Sequence, residues 1–260
     1  MGLAKAETDD LRYAKTLLEN PSLAIKITDL IGVPIETGLA LLPKGAHRLV
    51  NRVTKSSLET ALRFALTTMR NRPRAAASNR VHKFAVAATG ASGGALGLAA
   101  LAVELPVSTV IMLRSIADVA RSEGEIIKAP ETKLACLEVF ALGGRARGDD
   151  AAESGYFAVR ATLAKSLSQA AHYIAENGLA RQAAPAVARF LARVGAQFEL
   201  SVLEKAAAQA IPVLGAAGGA IVNTVFIDHF QSMARGHFIM RRLERAHGLE
   251  LVKEDYLRLS

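Results

Sequence analysis

The apolar residues of this chain recur at helical spacing or run on without interruption, and they offer no set of alternating segments from which a sheet could be built. Val50, Val53, Leu58, Leu62, Leu66 and Met69 share one side of a helix, while Arg48, Arg52, Lys55, Glu59, Arg63 and Arg70 step by three, four and seven along the other. This spacing predicts a basic amphipathic helix, followed by a loop from Asn71 to Asn79 that contains Pro73. Thr8 is placed to cap a helix through Asn20 that Pro21 ends, and Ser22 opens an apolar stretch to Leu42 with a break at Gly32 and Pro34. Pro106 suits the first turn of a helix running to Gly124, with Val110, Leu113, Ala117 and Ala120 inward and Arg114, Asp118 and Arg121 on a polar stripe. Pro130 begins a helix that Gly143 and Gly144 stop, and Asp150 with Glu153 resembles a capping box for a helix through Asn177. Residues from Pro185 to His247 read as further helices joined around Pro212 and Gly236. The expectation is an all-α protein: one compact multi-helix bundle spanning residues 1–260 as a single domain, with 1–20 as a peripheral N-terminal helix.

Two runs carry no charge, Phe84 to Val103 and Ala206 to Ile227. Each is long enough, at about 1.5 Å per residue, to cross a bilayer core of about 30 Å, but alanine and glycine make the first a poor spanning helix, and Pro212, Gln209 and Asn223 weaken the second. Both runs suit two central Gly/Ala-rich core helices. Small residues four apart (Gly90 with Gly94, Gly93 with Gly97, Gly215 with Gly219, and Gly218 beside them) would let another helix approach closely. The first run also matches Gly-x-Ser-x-Gly around Ser92, but a nucleophile elbow needs a strand and a surrounding sheet, and the second copy has Ala217 in place of a serine. No Walker lysine follows either run.

Composition narrows the class. With 51% hydrophobic residues and a mean hydropathy of +0.23 the chain is too apolar to be disordered, and without tryptophan or β-branched runs it does not read as a β-sandwich. The single cysteine, Cys136, excludes a disulfide framework and a Cys-based zinc site. Met1 to Asn20 is charged and amphipathic without an apolar core, so no secretory signal is expected there. The net charge of +8 is local: from Lys44 to Lys83 there are ten basic residues and one acid, Glu59, leaving 22 basic and 23 acidic residues elsewhere. Such a patch suits an anionic membrane surface. Phe64 is the only aromatic within the basic helix and no nucleic-acid-binding motif is present, which argues against DNA or RNA.

Some polar residues violate the apolar periodicity. Glu138 shares a face with Leu134, Leu137, Ala141 and Leu142, and Asn223 lies among Gly219, Ala220, Phe226 and Ile227. A buried carboxylate needs a partner, for which Arg114 or Arg241 are candidates. Glu138, Asp228, His229, His237 and Ser92 are the candidate catalytic residues, able in principle to handle protons in an apolar bundle. His229 and His237 are eight apart, about 12 Å along a straight helix, so they cannot share a metal ion, and neither a metal nor a cofactor is expected.

The run Gly90 to Leu98, Glu104-Leu105-Pro106, Leu113 to Ala117, Glu138-Val139-Phe140, Leu142-Gly143-Gly144 and Glu153 to Tyr156 resembles the signature of the EcsC protein family. So do Ile211 to Ala216, Asn223, Asp228-His229-Phe230 and Ala234 to Phe238. The resemblance implies one helical domain of a mostly bacterial family named for a hydrophobic protein encoded beside an ABC transporter, and it carries over no catalytic residue. Together with the basic helix (Arg48, Arg52, Lys55, Arg63 and Arg70 as surface-binding residues), it leads to the expectation of a non-catalytic accessory protein of the bacterial cytoplasm, peripheral to the inner membrane. Its expected partners are an anionic membrane surface or acyl lipid, and subunits of a membrane transporter. A membrane-associated hydrolase or peptidase-like enzyme is the alternative reading, and a structural partner of transporter subunits the second.

Overall fold

The computed structural model describes residues 3–19, 23–68, 101–143, 152–177, 184–211 and 215–259. These residues form ten helices and no strand: α1 Lys5–Leu18, α2 Leu23–Ile31, α3 Ile35–Leu41, α4 Ala46–Thr68, α5 Leu101–Ser122, α6 Pro130–Leu142, α7 Ala152–Asn177, α8 Pro185–Gln209, α9 Gly215–His247 and α10 Leu249–Arg258. The all-helical class expected from the periodicity is therefore found. None of these helices is long and apolar enough to cross a membrane.

The centre is set by α6, whose residues from Leu134 to Leu142 are all buried. A segment buried on every side has no face to give to water, and α6 packs against α4, α5, α7, α8 and α9. Pro130 at its first turn needs no amide partner, and Ala129 caps it in an extended conformation. The rings of Phe140 on α6, Phe198 on α8 and Phe226 and Phe230 on α9 interlock with centroids 4.8 to 6.2 Å apart and join the three helices.

The helices around α6 follow the expected stripes, with four differences. The first is that α1 starts at Lys5, so Thr8 lies inside it and its hydroxyl donates to Ala4 O (3.1 Å); the Ala4 amide donates to Glu7 Oε2 (2.9 Å) in place of the expected threonine cap. Second, Pro106 is inside α5 rather than at its start, and the Ser108 and Thr109 hydroxyls both donate to Leu105 O in the following turn. Third, Gly236 does not interrupt α9. It is the place where α1 crosses: a Cβ there would lie 2.7 Å from Leu18 Cγ and 3.1 Å from Ala14 O.

Finally, the charge-free run from Ala206 to Ile227 is not one core helix. The chain leaves α8 after Gln209, with the Ala210 amide bonded back to Ala206 O and Ala207 O (3.1 Å each), and starts α9 at Gly215. Pro212, which cannot continue a helix without losing a backbone bond, falls between them. Gly215, Gly218 and Gly219 thus open α9, with Gly219 buried, while Gly90, Gly93, Gly94, Gly97, Ser92 and Arg70 lie outside the described residues. The break expected at Gly32 is present, with that glycine at φ +68° between α2 and α3. Another close approach gives α3 its seat: a Cβ on Gly38 would overlap the backbone carbonyl of Ala207 on α8.

Candidate functional site

Glu138 occupies the middle of α6, and α9 brings His237 to face it with Nε2 3.7 Å from Glu138 Oε2. That separation is an ion-pair distance but too long for a hydrogen bond, and Nε2 has no hydrogen-bond partner among the described residues. On the other side of the ring, His237 Nδ1 is 3.1 Å from the Tyr156 hydroxyl of α7. One turn along α7, Arg160 lies over the Tyr156 ring at 5.2 Å and holds Glu244 of α9 through both terminal nitrogens, at 2.5 and 2.9 Å. Three helices thus line up a carboxyl, an imidazole and a phenol, all buried, with a bidentate ion pair at the outer end.

Burial decides the charge of this line. It pushes the Glu138 carboxyl up to about 7, although Arg160 and Arg241 pull the other way. It also holds His237 well below its ordinary value, in the same direction as those two arginines, and raises the Tyr156 phenol. The imidazole is therefore neutral at physiological pH, with one nitrogen a donor and the other an acceptor. Tyr156 donates to Nδ1 in one tautomer and accepts from it in the other, so the line can hold one proton at Glu138 without charging the ring. Neither arginine foreseen as partner to Glu138 pairs with it: Arg241 Nε binds Glu125 Oε1 at 2.8 Å, and Arg114 is exposed, over the Phe64 ring at 5.3 Å.

Of the other candidate catalytic residues, His229 donates through Nε2 to Gly143 O (3.0 Å) and faces Lys26 Nζ through Nδ1 (3.4 Å). It serves the end of α6 rather than the Glu138 line, two turns away along α9. Asp228 is half-buried on α9, and Ser92 lies outside the described residues. Of the four candidates among the described residues, the structure brings Glu138 and His237 together and sets His229 apart from them. No group of three or more potential metal ligands occurs among the described residues.

A second buried carboxylate is met very differently. Glu104 on α5 receives Lys205 Nζ of α8 at 2.5 Å, the Asn223 amide of α9 at 2.9 Å and the Gln209 amide at 3.4 Å. Lys205 is fully buried and also lies 4.9 Å from the Phe226 ring centroid; burial lowers its ammonium against the pull of Glu104. Sequence reasoning found Asn223 and missed Lys205 and Tyr156. A signal existed for Lys205, a lysine in register with Phe198, Val202 and Ala208 on an otherwise apolar stripe.

On the outside, α4 presents Arg48, Arg52, Lys55 and Arg63 along one exposed face. No side chain of these four makes an ion pair or hydrogen bond with another described residue. The contrast with α9 is plain, where Arg241 pairs with Glu125, Arg245 with Glu125, and Arg242 with Asp10 (2.7 Å) and Glu123 (3.0 Å). The sequence profile of the EcsC protein family matches residues 20–243 of the chain. No curated protein and no solved structure matches it.

Proposed function

The chain belongs to the EcsC protein family, and from that starting point we propose that it is a non-catalytic accessory protein that binds an anionic membrane surface through α4. The observation that carries this reading is the unpaired stripe Arg48, Arg52, Lys55 and Arg63. Fixed cations without acid partners repel one another, and an anionic surface relieves that repulsion while gaining roughly 1 kcal/mol for each Lys or Arg near it. Leu41, at the end of α3 and 51% exposed, lies one short turn before the stripe and offers an apolar contact to the acyl boundary.

Co-sedimentation with phosphatidylglycerol vesicles tests the proposal. Binding is expected at low ionic strength, weakening once salt reaches about 0.1 M, where the screening length falls to about 10 Å. Reversing two exposed charges in Arg48→Glu/Arg52→Glu should release the protein from the vesicles with its helical content unchanged. A wild-type protein that ignores these vesicles at low salt, or a double variant that binds them as well as wild type, overturns it.

A further inference from the structure

Helix α5 turns an apolar stripe toward water. Val103, Val107, Val110 and Arg114 follow one another at steps of four, three and four, so they share one side of the helix. Val103 is 76% exposed and Val107 48%, Val110 is half-buried and Arg114 is exposed. A lone apolar side chain on a protein surface needs no explanation. Valine, however, loses side-chain freedom in a helix, and at Val103 and Val107 no burial within the bundle offsets that loss.

This stripe borders the basic face of α4. Arg114 lies over the Phe64 ring at 5.3 Å, and Phe64 follows Arg63 directly. The two helices also run in the same direction. Asn51 of α4 meets Glu199 of α8 at 2.7 Å, and Glu104 of α5 meets Lys205 at 2.5 Å, less than two turns further along α8. The early parts of α4 and α5 therefore lie at one end of the bundle, and Phe64 with Arg114 joins their later parts. Val103 and Val107 stand at the end where Arg48 and Arg52 begin the basic stripe, and Arg114 stands where Arg63 closes it. Like those cations, Arg114 has no acid partner among the described residues, while Glu59, half-buried, is the acid that interrupts the stripe.

We propose that α4 and α5 form one membrane-binding face, in which the α4 cations and Arg114 lie among the phosphates of an anionic bilayer while Val103 and Val107 enter the acyl boundary. Binding at such an interface sums apolar burial and the attraction of cations to anionic headgroups, and this face carries both side by side. A protein partner is the poorer match. Three valines fall far short of the roughly 800 Å² that each side buries in a stable protein interface. Such a partner would also need acids spaced to meet cations spread over about 22 Å of helix, whereas a layer of phosphates meets them in any register. The inference rests on the membrane-surface reading and adds to it which helix enters the bilayer and which end of the bundle faces it. Ile126, beyond the far end of α5, is left in water.

The chain has no tryptophan, so a single introduced one reports its own depth. Val103→Trp and Val107→Trp, both at exposed positions, should shift their emission to the blue on phosphatidylglycerol vesicles and be quenched when the acyl chains are brominated near the headgroup. Ile126→Trp, at a position 63% exposed in the loop after α5, should do neither. Val103→Asp/Val107→Asp should weaken vesicle binding about tenfold with helical content unchanged, and Arg114→Glu should weaken it roughly fivefold at low salt. A wild-type protein that does not sediment with the vesicles takes down the surface reading and this inference with it. Sedimentation that persists while Val103→Trp and Val107→Trp keep water-exposed emission, or an equal blue shift in Ile126→Trp, overturns this inference and leaves the surface reading standing. A blue shift in Val107→Trp that follows protein concentration without lipid marks a second copy of the chain as the occupant and overturns it as well.

Discussion

Glu104 and Glu138 are carboxylates of the same type at nearly equal depth, 6% and 4% exposed, but their surroundings differ. Glu104 is met by an ammonium and two amides from α8 and α9. Glu138 accepts no hydrogen bond from a described residue and faces an imidazole that burial keeps neutral. The first arrangement keeps both members of an ion pair in place. The second leaves a carboxyl whose proton comes and goes near pH 7. Burial depth alone does not decide the state of an acidic group; the donors around it do.

The largest test of this contrast removes the cation. Lys205→Met keeps the volume but strands Glu104, and is expected to cost roughly 3–5 kcal/mol in urea unfolding; adding Glu104→Gln should recover much of the loss. Were the single variant as stable as wild type, Glu104 would not depend on its lysine.

Next comes the pH dependence at Glu138. Its folded pKa of about 7 lies above the ordinary 4.5, so the folded chain binds the proton more tightly than the unfolded one. The stability this contributes is fully present below pH 4.5 and is lost as pH rises through about 7, a total of about 3 kcal/mol. Glu138→Gln should therefore match wild type in acid and exceed it above pH 7 by about that amount, and an identical pH profile for both proteins would remove Glu138 from the account. His237 contributes with the opposite sign, its share of stability being lost as pH falls through its depressed folded value, so the comparison is made between variants at each pH.

The smallest effect belongs to the end of the line. Tyr156→Phe removes the hydroxyl beside His237 Nδ1 and is expected to cost about 1 kcal/mol, and to shift the imidazole nitrogen resonances of His237 in an NMR spectrum. Unmoved resonances would show that the phenol does not set the tautomer.

Much of the architecture was legible in the chain. The stripe Val50, Val53, Leu58, Leu62 and Leu66 is buried, and Arg48, Arg52, Lys55 and Arg63 are exposed, as the spacing requires. Glu138 and Asn223 were marked by their apolar neighbours, and both are buried polar groups. The candidate site was legible only by half. His237 and Glu138 were both singled out, but Tyr156, eighteen residues beyond Glu138 on another helix, was not, and the arginines named as partners for Glu138 are engaged elsewhere.

The sequence by itself determined which segments are helical, which face of each is apolar, and where cations gather. These properties depend on residues three and four apart on one helix, whose geometry is the same in every fold. Only the tertiary structure decided that Glu104 meets Lys205 while Glu138 meets His237, that α3 rests on α8 through Gly38, and that α4 and α8 part to leave a groove. Those outcomes depend on where helices cross, and crossings are fixed by the packing of side chains drawn from the whole length of the chain.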